Sequence, residues 1–260
     1  MAILGPCVSE GQSLPTTLSE QERLNAWLEQ QSPQCVLRWA VDVFGAGLVM
    51  TTAFGLNGVA LIHLLREVGE DVPLVFVDTG FLFEETLETK RRIEQAYGVR
   101  VQTWRPRLSI EAQAQQYGPD LHACQPDLCC VLRKVEPMRR AMAELGPLAV
   151  INGRSRSQSK TRHDLPIVQW EQTPVWINPL ACWTRQQVAD YIQTHGIPCN
   201  PLHEAGYPSI GCKPCTRPVR AGEHVRAGRW ASRDKAECGL WTTDSAASDT
   251  AFIYIEGGSA

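Results

Sequence analysis

The chain lacks any run of 18 apolar residues, which excludes a conventional membrane-spanning helix. Its first 20 residues lack the basic start and apolar stretch of a secretory signal, so the expected location is cytoplasmic. No excess of positive charge is present: 25 basic residues against 28 acidic ones leave a net charge of −3, which argues against a general nucleic-acid binder. Glycine and proline, 20 and 17 residues of 260, are close to average, and no internal repeat is visible. Two phosphate-binding signatures are also missing, the Walker G-x-x-x-x-G-K-[ST] and the dinucleotide G-x-G-x-x-G. With 43% hydrophobic and 20% charged residues, the chain can bury a real core and is not disordered throughout.

What is present in excess is cysteine. Ten in 260 residues are too few for a disulfide scaffold, so in a reducing compartment they read as thiols, metal ligands or catalytic groups. Cys7, Cys35, Cys124, Cys182 and Cys199 stand singly; Cys129 and Cys130 are adjacent, Cys212 and Cys215 form a CxxC, and Cys238 lies in KAECGLW.

The periodicity predicts an α/β fold with a doubly wound, mostly parallel sheet. Residues 1–46 read as an N-terminal helical arm, with Ser19 and Glu22 as a capping box. Residues 47–197 read as the α/β body. Apolar strands at 47–53, 73–77, 99–104 and 148–152 alternate with helices from Val59, over 84–97 and over 131–145. Thr184 and Gln187 form a second capping box, whose helix ends at His195-Gly196. Residues 198–241 form an irregular segment of the same domain, and 242–260 a flexible tail.

Four constellations carry chemistry. Cys129, Cys130, Cys212 and Cys215 supply four thiolates, enough for a [4Fe–4S] cluster or a zinc ion. Neighbouring cysteines are poorly placed on one tetrahedral zinc, whereas a cubane offers separate iron corners. The spacing favours the cluster over zinc or uncoordinated thiols. Lys134, one helical turn past Cys130, either reaches back toward that site or is a solvated lysine. The turn Thr51-Thr52-Ala53-Phe54-Gly55-Leu56-Asn57-Gly58 joins a buried strand to a helix and can cradle phosphate, or is a plain strand-to-helix turn. Asp78-Thr79-Gly80 ends the next strand, where doubly wound folds bind ligands.

Arginines gather late, at 154, 156, 162, 217, 220, 226, 229 and 233, a set suited to a small anion although any one is by default solvated. Cys238 sits among charged residues, where a nearby cation would favour its thiolate; the alternative is a bystander thiol. His203 and His224 are either general acids or structural.

Together, TTAFGLNG, VDTGFLFEET, CCVLRKVEP, GRSRSQSKTR, NPLHEAGYPSIGCKPCTRPVRAGEHVRAGRW and KAECGL resemble the assimilatory adenylyl-sulfate and phosphoadenylyl-sulfate reductases of the iron–sulfur branch, over roughly residues 48 to 240. The resemblance implies an adenine-nucleotide hydrolase-like fold and a [4Fe–4S] cluster on the four paired cysteines. It makes Cys238 the nucleophile on the sulfur of adenylyl sulfate, or of phosphoadenylyl sulfate. Thioredoxin, or a glutaredoxin-like dithiol, then releases sulfite. Arg162, Arg226 and Arg229 are implied as phosphosulfate ligands, and Lys134 as the link between cluster and substrate.

The expected substrate set is Thr51, Thr52, Phe54, Gly55, Asp78, Thr79, Gly80, Lys134, Arg156, Arg162, Arg226 and Arg229. Neither nucleic acid nor membrane is an expected partner, and a homo-oligomer stays open.

The chain departs from the family pattern at three places. Trp241 stands where ECGL is usually followed by histidine, and 19 residues follow it. Ser155 replaces the first of two adjacent arginines. Ala53 stands where serine is common, and the acidic pair of many adenylyl-sulfate reductases is missing, which brings that turn closer to the phosphoadenylyl-sulfate enzymes. Two rival readings are a non-catalytic redox-sensing iron–sulfur protein and a tRNA-thiolating enzyme. The second requires an SGGxDS motif that the chain lacks.

Overall fold

The computed structural model describes residues 15–170, 173–231, 235 and 237–240. Residues 1–14 of the expected N-terminal arm, Arg233, Trp241 and the 242–260 tail therefore lie outside the described residues.

Helix α1 (Leu18–Leu28) starts at a capping box of Thr17 and Glu20, not of Ser19 and Glu22. Glu20 reaches back to accept from the Thr16 and Thr17 amides at 2.9 and 3.0 Å. Helix α2 (Pro33–Phe44) has Ser32 as its cap and proline at its first position, and buries Val36, Leu37, Trp39 and Ala40. Strand β1 (Leu48–Thr51) is buried at every position and leads into α3 (Leu56–Val68), which Gly69 closes in the left-handed conformation.

Strand β2 (Leu74–Val77) precedes α4 (Glu84–Tyr97) and β3 (Val101–Trp104), an edge strand with two exposed positions. Helices α5 (Ile110–Tyr117), α6 (Leu121–Cys124) and α7 (Pro126–Cys130) follow. The expected helix over 131–145 opens as one widened π-type turn, Val131–Val135, before α8 (Glu136–Leu145). Then come β4 (Ala149–Ile151), β5 (Val168–Gln169), β6 (Val175–Ile177) and α9 (Arg185–Thr194), the last capped by Thr184 and Gln187 as its sequence predicts.

The six strands form one sheet in the order β3-β2-β1-β4-β6-β5. Strand β1 runs parallel to β2 and β4, and β4 parallel to β6; β5 is an antiparallel edge. The fold is thus α/β with a mostly parallel sheet. Burial along all of β1 and β4 is what parallel strands covered on both faces require. Strand order reverses between β1 and β4, and their carboxyl ends form the crevice where such sheets bind ligands.

The chain divides into two compact units. The first draws on residues up to Phe76, Glu84–Gln102 and Gly146–Glu204; the second on Val77–Phe83, Thr103–Leu145 and the residues from Ala205 onward. Cys35 is disulfide-bonded, so it departs from the expectation of thiols and ligands. No helix among the described residues is long and apolar enough to cross a membrane.

Candidate active site

In the second unit, Cys129, Cys130, Cys212 and Cys215 come together around one pocket. None of the four is in a disulfide, and the first three are buried. Helix α7 ends at Cys130, so the adjacent pair leaves the last turn of a short helix. The CxxC loop is a single tight turn, with the Cys215 amide donating to the Cys212 carbonyl at 3.0 Å. Thr216 Oγ1 also donates to that carbonyl, at 2.9 Å.

The loop is pinned to residues 78–83 by the Lys213 amide, which donates to the Phe81 carbonyl at 2.7 Å. Thr79 Oγ1 lies 3.3 Å from Cys212 Sγ, and the Phe81 amide donates to the same hydroxyl at 3.2 Å. The Asp78-Thr79-Gly80 turn is therefore part of the thiol pocket's frame. Asp78 pairs with Arg105 at 3.1 Å and accepts from the Gly80 amide.

Burial pushes the Cys129 thiol up to about 12, and the neighbouring Cys130, Cys212 and Cys215 push it the same way. Phe81, Pro126, Pro214 and Trp230 give the pocket its apolar walls. Among the described residues, no three of these thiols bring their sulfur atoms within 4.8 Å of one another. A tetrahedral zinc would hold them about 3.8 Å apart, from Zn–S bonds near 2.3 Å.

Cations ring one aromatic side. Trp230, only 3% exposed, has a positive φ of 46°, a strained conformation for a bulky residue. Lys134 Nζ lies 5.9 Å, Arg229 Cζ 4.5 Å and Lys235 Nζ 5.6 Å from its ring centroid. The strain is held by an antiparallel bridge of Thr216 with Arg229 and by the Trp230 amide, which donates to the Cys215 carbonyl at 3.0 Å. Burial alone would lower the Lys134 pKa and Arg229 adds to that. The sulfurs of Cys212, Cys238 and Cys130 outweigh both and raise it, so the ammonium stays charged.

Arg229 Nη1 donates to the Ile210 carbonyl at 3.0 Å, and its buried Nε has no partner. Its guanidinium fills the space of a missing side chain at Gly211, where a Cβ would sit 2.5 Å from Arg229 Cζ. Arg226 pairs with Glu237 at 3.4 Å, and Lys235 bonds Asp127. Those two ion pairs flank half-buried Cys238 on its N-terminal side, and Gly239 then turns the chain at φ 75°.

The same strand pairing places the Arg217 carbonyl against Gly228, where an added Cβ would come within 2.1 Å of it. Gly228→Ala should therefore force the two segments apart. We expect a stability loss of about 1–3 kcal/mol, read as a lower melting temperature. An unchanged melting temperature would show that the pairing is not needed.

The first unit carries the turn after β1. Thr52 Oγ1 accepts from the Phe54 amide at 3.0 Å, and buried Phe54 adopts φ 54° with its ring 5.2 Å from Phe76. Thr51 is buried, its hydroxyl 3.5 Å from the Ile151 carbonyl. Gly55 caps α3 with no side-chain bond, so the amides of the helix's first turn remain for an anion. At the end of β4, Asn152 Oδ1 accepts from the Arg154 amide and guanidinium at 3.2 and 2.9 Å, while its buried Nδ2 has no partner.

Buried Ser155 accepts from Asn57 Nδ2 at 3.3 Å, so the position that departs from the family pattern ties the segment after β4 to the first turn of α3. Arg156 directs its guanidinium at Glu29, the Leu165 carbonyl and Cys182. Arg162 bonds Gln158. Sequence reasoning passed over Arg133, Trp230 and Asn152. The first two are buried members of the thiol pocket, and only CCVLRK and GRW hinted at them.

The phosphoadenosine phosphosulfate reductase domain matches residues 47–218. The chain belongs to that family. It is 45% identical over 219 residues to an adenosine 5'-phosphosulfate reductase of Deinococcus radiodurans, covering 82% of each chain. It is 42% identical over 224 residues to a phosphoadenosine 5'-phosphosulfate reductase of Gloeobacter violaceus, covering 84% of this chain and 92% of that one. Among solved structures, a phosphoadenylyl-sulfate reductase from Candida auris in a phosphate complex superposes with a TM-score of 0.71 at 37% identity. That match covers 79% of this chain and all of the other.

Proposed function

We propose that this family member reduces adenylyl sulfate to sulfite and AMP, with Cys238 as nucleophile, in sulfate assimilation toward cysteine. The observation that carries this is the half-buried Cys238 on a segment held by the Arg226–Glu237 and Lys235–Asp127 ion pairs, in the same unit as a pocket lined by four free cysteines and Lys134. The 45% identity to a relative named for adenosine 5'-phosphosulfate supports the substrate. The second reading is phosphoadenylyl sulfate as substrate, giving 3',5'-ADP. It is favoured by the names of the Gloeobacter and Candida relatives and by Ala53 in the phosphate turn.

In this mechanism the nucleotide's phosphates and sugar fall to Thr51, Thr52, Phe54 and Gly55. The turn's hydroxyls and the free amides at the start of α3 suit an anion. Arg162, Arg226, Arg229 and Lys134 are assigned to the phosphosulfate, whose negative charge grows on the leaving phosphate oxygen. Arg156 is the least available of the expected set, since Glu29 already neutralises it. Asp78, Thr79 and Gly80 are assigned to the frame that positions substrate beside the thiols.

The Cys238 thiolate attacks the substrate sulfur. A sulfur–sulfur bond forms, the sulfur–oxygen bond to phosphate breaks, and the nucleotide leaves with that electron pair. A dithiol of the thioredoxin class then attacks the cysteine sulfur of the S-sulfocysteine. Sulfite departs, and the dithiol, oxidised to a disulfide, has supplied the two electrons. The half-buried Cys238 segment, held by two ion pairs, must release for that second step.

The pocket's residues fit a [4Fe–4S] cluster. Four soft donors are present and apolar walls surround them. Cys129, Cys130, Cys212 and Cys215 would hold it. When bound it supplies charge and rigidity beside Lys134, and the reaction's electrons come from the dithiol.

Two experiments test this reading. Anaerobic protein is mixed with each sulfonucleotide in turn, without any dithiol, and analysed by intact-mass and peptide mass spectrometry. One SO₃ group on Cys238 is expected, formed faster with adenylyl sulfate. No adduct on iron-replete protein would sink the proposal and favour a non-catalytic, redox-sensing role. Faster formation with phosphoadenylyl sulfate would select the second reading.

In the second, Lys134→Ala should cut kcat/KM about 10²–10³-fold with iron content unchanged, the scale of one lost charge-stabilising donor. Unaltered kinetics would remove Lys134 from the substrate's side of the pocket.

A further inference from the structure

The first unit contains a side-chain cluster that the reductase chemistry does not use. His63 and Glu67 are one turn apart on the same face of α3, and His195 caps the C-terminus of α9. One donor atom from each lies within 4.8 Å of the other two. From this geometry we infer a second metal site, for a zinc-class divalent cation, at His63, Glu67 and His195.

Three observations support it. The donors are two imidazoles and a carboxylate, the mix that suits zinc, cobalt or nickel and not the all-oxygen preference of magnesium or calcium. Three protein ligands with an open fourth position form a complete set for such a cation, water filling the last place.

The second shell is already built. Tyr191 Oη lies 2.8 Å from His63 Nδ1 and donates to Glu67 Oε2 at 2.9 Å. With that nitrogen donating to the hydroxyl, His63 Nε2 carries the free lone pair. A ligating histidine held by a hydrogen bond at its other nitrogen is the arrangement that fixes tautomer and ring orientation in metal sites.

The two imidazoles are also packed against each other, with their ring planes tilted by 51°. Their ring centroids are 4.8 Å apart, and the Tyr191 ring lies 4.3 Å from that of His195 at a 40° tilt, so the cluster is packed and oriented. The cation would staple α3 to α9 across the first unit. No cysteine takes part, so the site is chemically separate from the thiol pocket.

The test uses the full chain purified with its iron in place. The protein is dialysed against buffered free Zn²⁺, and zinc and iron are counted together by elemental mass spectrometry. One zinc per chain at micromolar free Zn²⁺ is expected, with iron unchanged. His195→Gln and Glu67→Gln alter exposed side chains and leave the core alone. Each should weaken zinc uptake at least about tenfold while reductase activity without zinc stays at the parent level.

Three outcomes would overturn the inference. One is zinc uptake equal in parent and both variants. Another is zinc gained only as iron is lost, which would place it on the cysteines. The third is no uptake below about 1 mM, an affinity too weak for a formed site.

Discussion

Cys238→Ser is expected to abolish sulfite release, with a loss of about 10³-fold or more in kcat. A serine hydroxyl is scarcely ionised near neutral pH and forms no stable adduct with the sulfonate, so both half-reactions fail. The side chain is half-buried, and serine replaces it with a nearly isosteric group. The variant should therefore keep its iron, its melting temperature and its affinity for AMP. Sulfite production with excess dithiol, beside nucleotide binding by calorimetry, separates chemistry from folding. Residual turnover within tenfold of the parent would remove Cys238 as the nucleophile, whatever the binding data show.

Cys130→Ser and Cys212→Ser carry the second large effect. Both thiols are 7% exposed and line the pocket. With one soft ligand replaced by a hydroxyl, three thiolates remain, and we expect iron and acid-labile sulfide to fall below about a tenth of the parent content. Activity should fall with them, because Lys134 then faces protonated thiols instead of a charged centre. Cys199→Ser is the control: a half-buried thiol outside the pocket, whose loss should leave iron and rate unchanged. Full activity in an iron-free Cys212→Ser protein would refute the cluster and leave the four cysteines as a structural knot.

The limits of sequence reading show at particular residues. The alternation of apolar strands with helices was legible because each element carries its own period, and α4 and the Thr184 box match it closely. Helix α2 and the pair β5 and β6 were not legible. Helix α2 has its Ser32-Pro33 start but follows directly on another helix, and β5 is two residues long. The first capping box was placed two residues late because two overlapping S/T-x-x-E patterns compete, and only the bonds made to Glu20 decide between them.

By itself, the sequence determined the chemistry on offer: four soft ligands in two pairs, one further cysteine in ECGL, a phosphate turn without a Walker lysine, and a mostly parallel α/β body. Those are local patterns, set by spacing within a few residues. Tertiary structure alone decided which groups meet. Thr79 stands on Cys212, 133 residues away, and Lys235 on Asp127, 108 residues away. Arg133, Lys134, Arg229 and Lys235 collect around Phe81 and a strained Trp230. His63, Glu67 and His195 form one cluster from two helices. No periodicity encodes such meetings, because they are fixed by how the elements pack and by the strain that packing sustains.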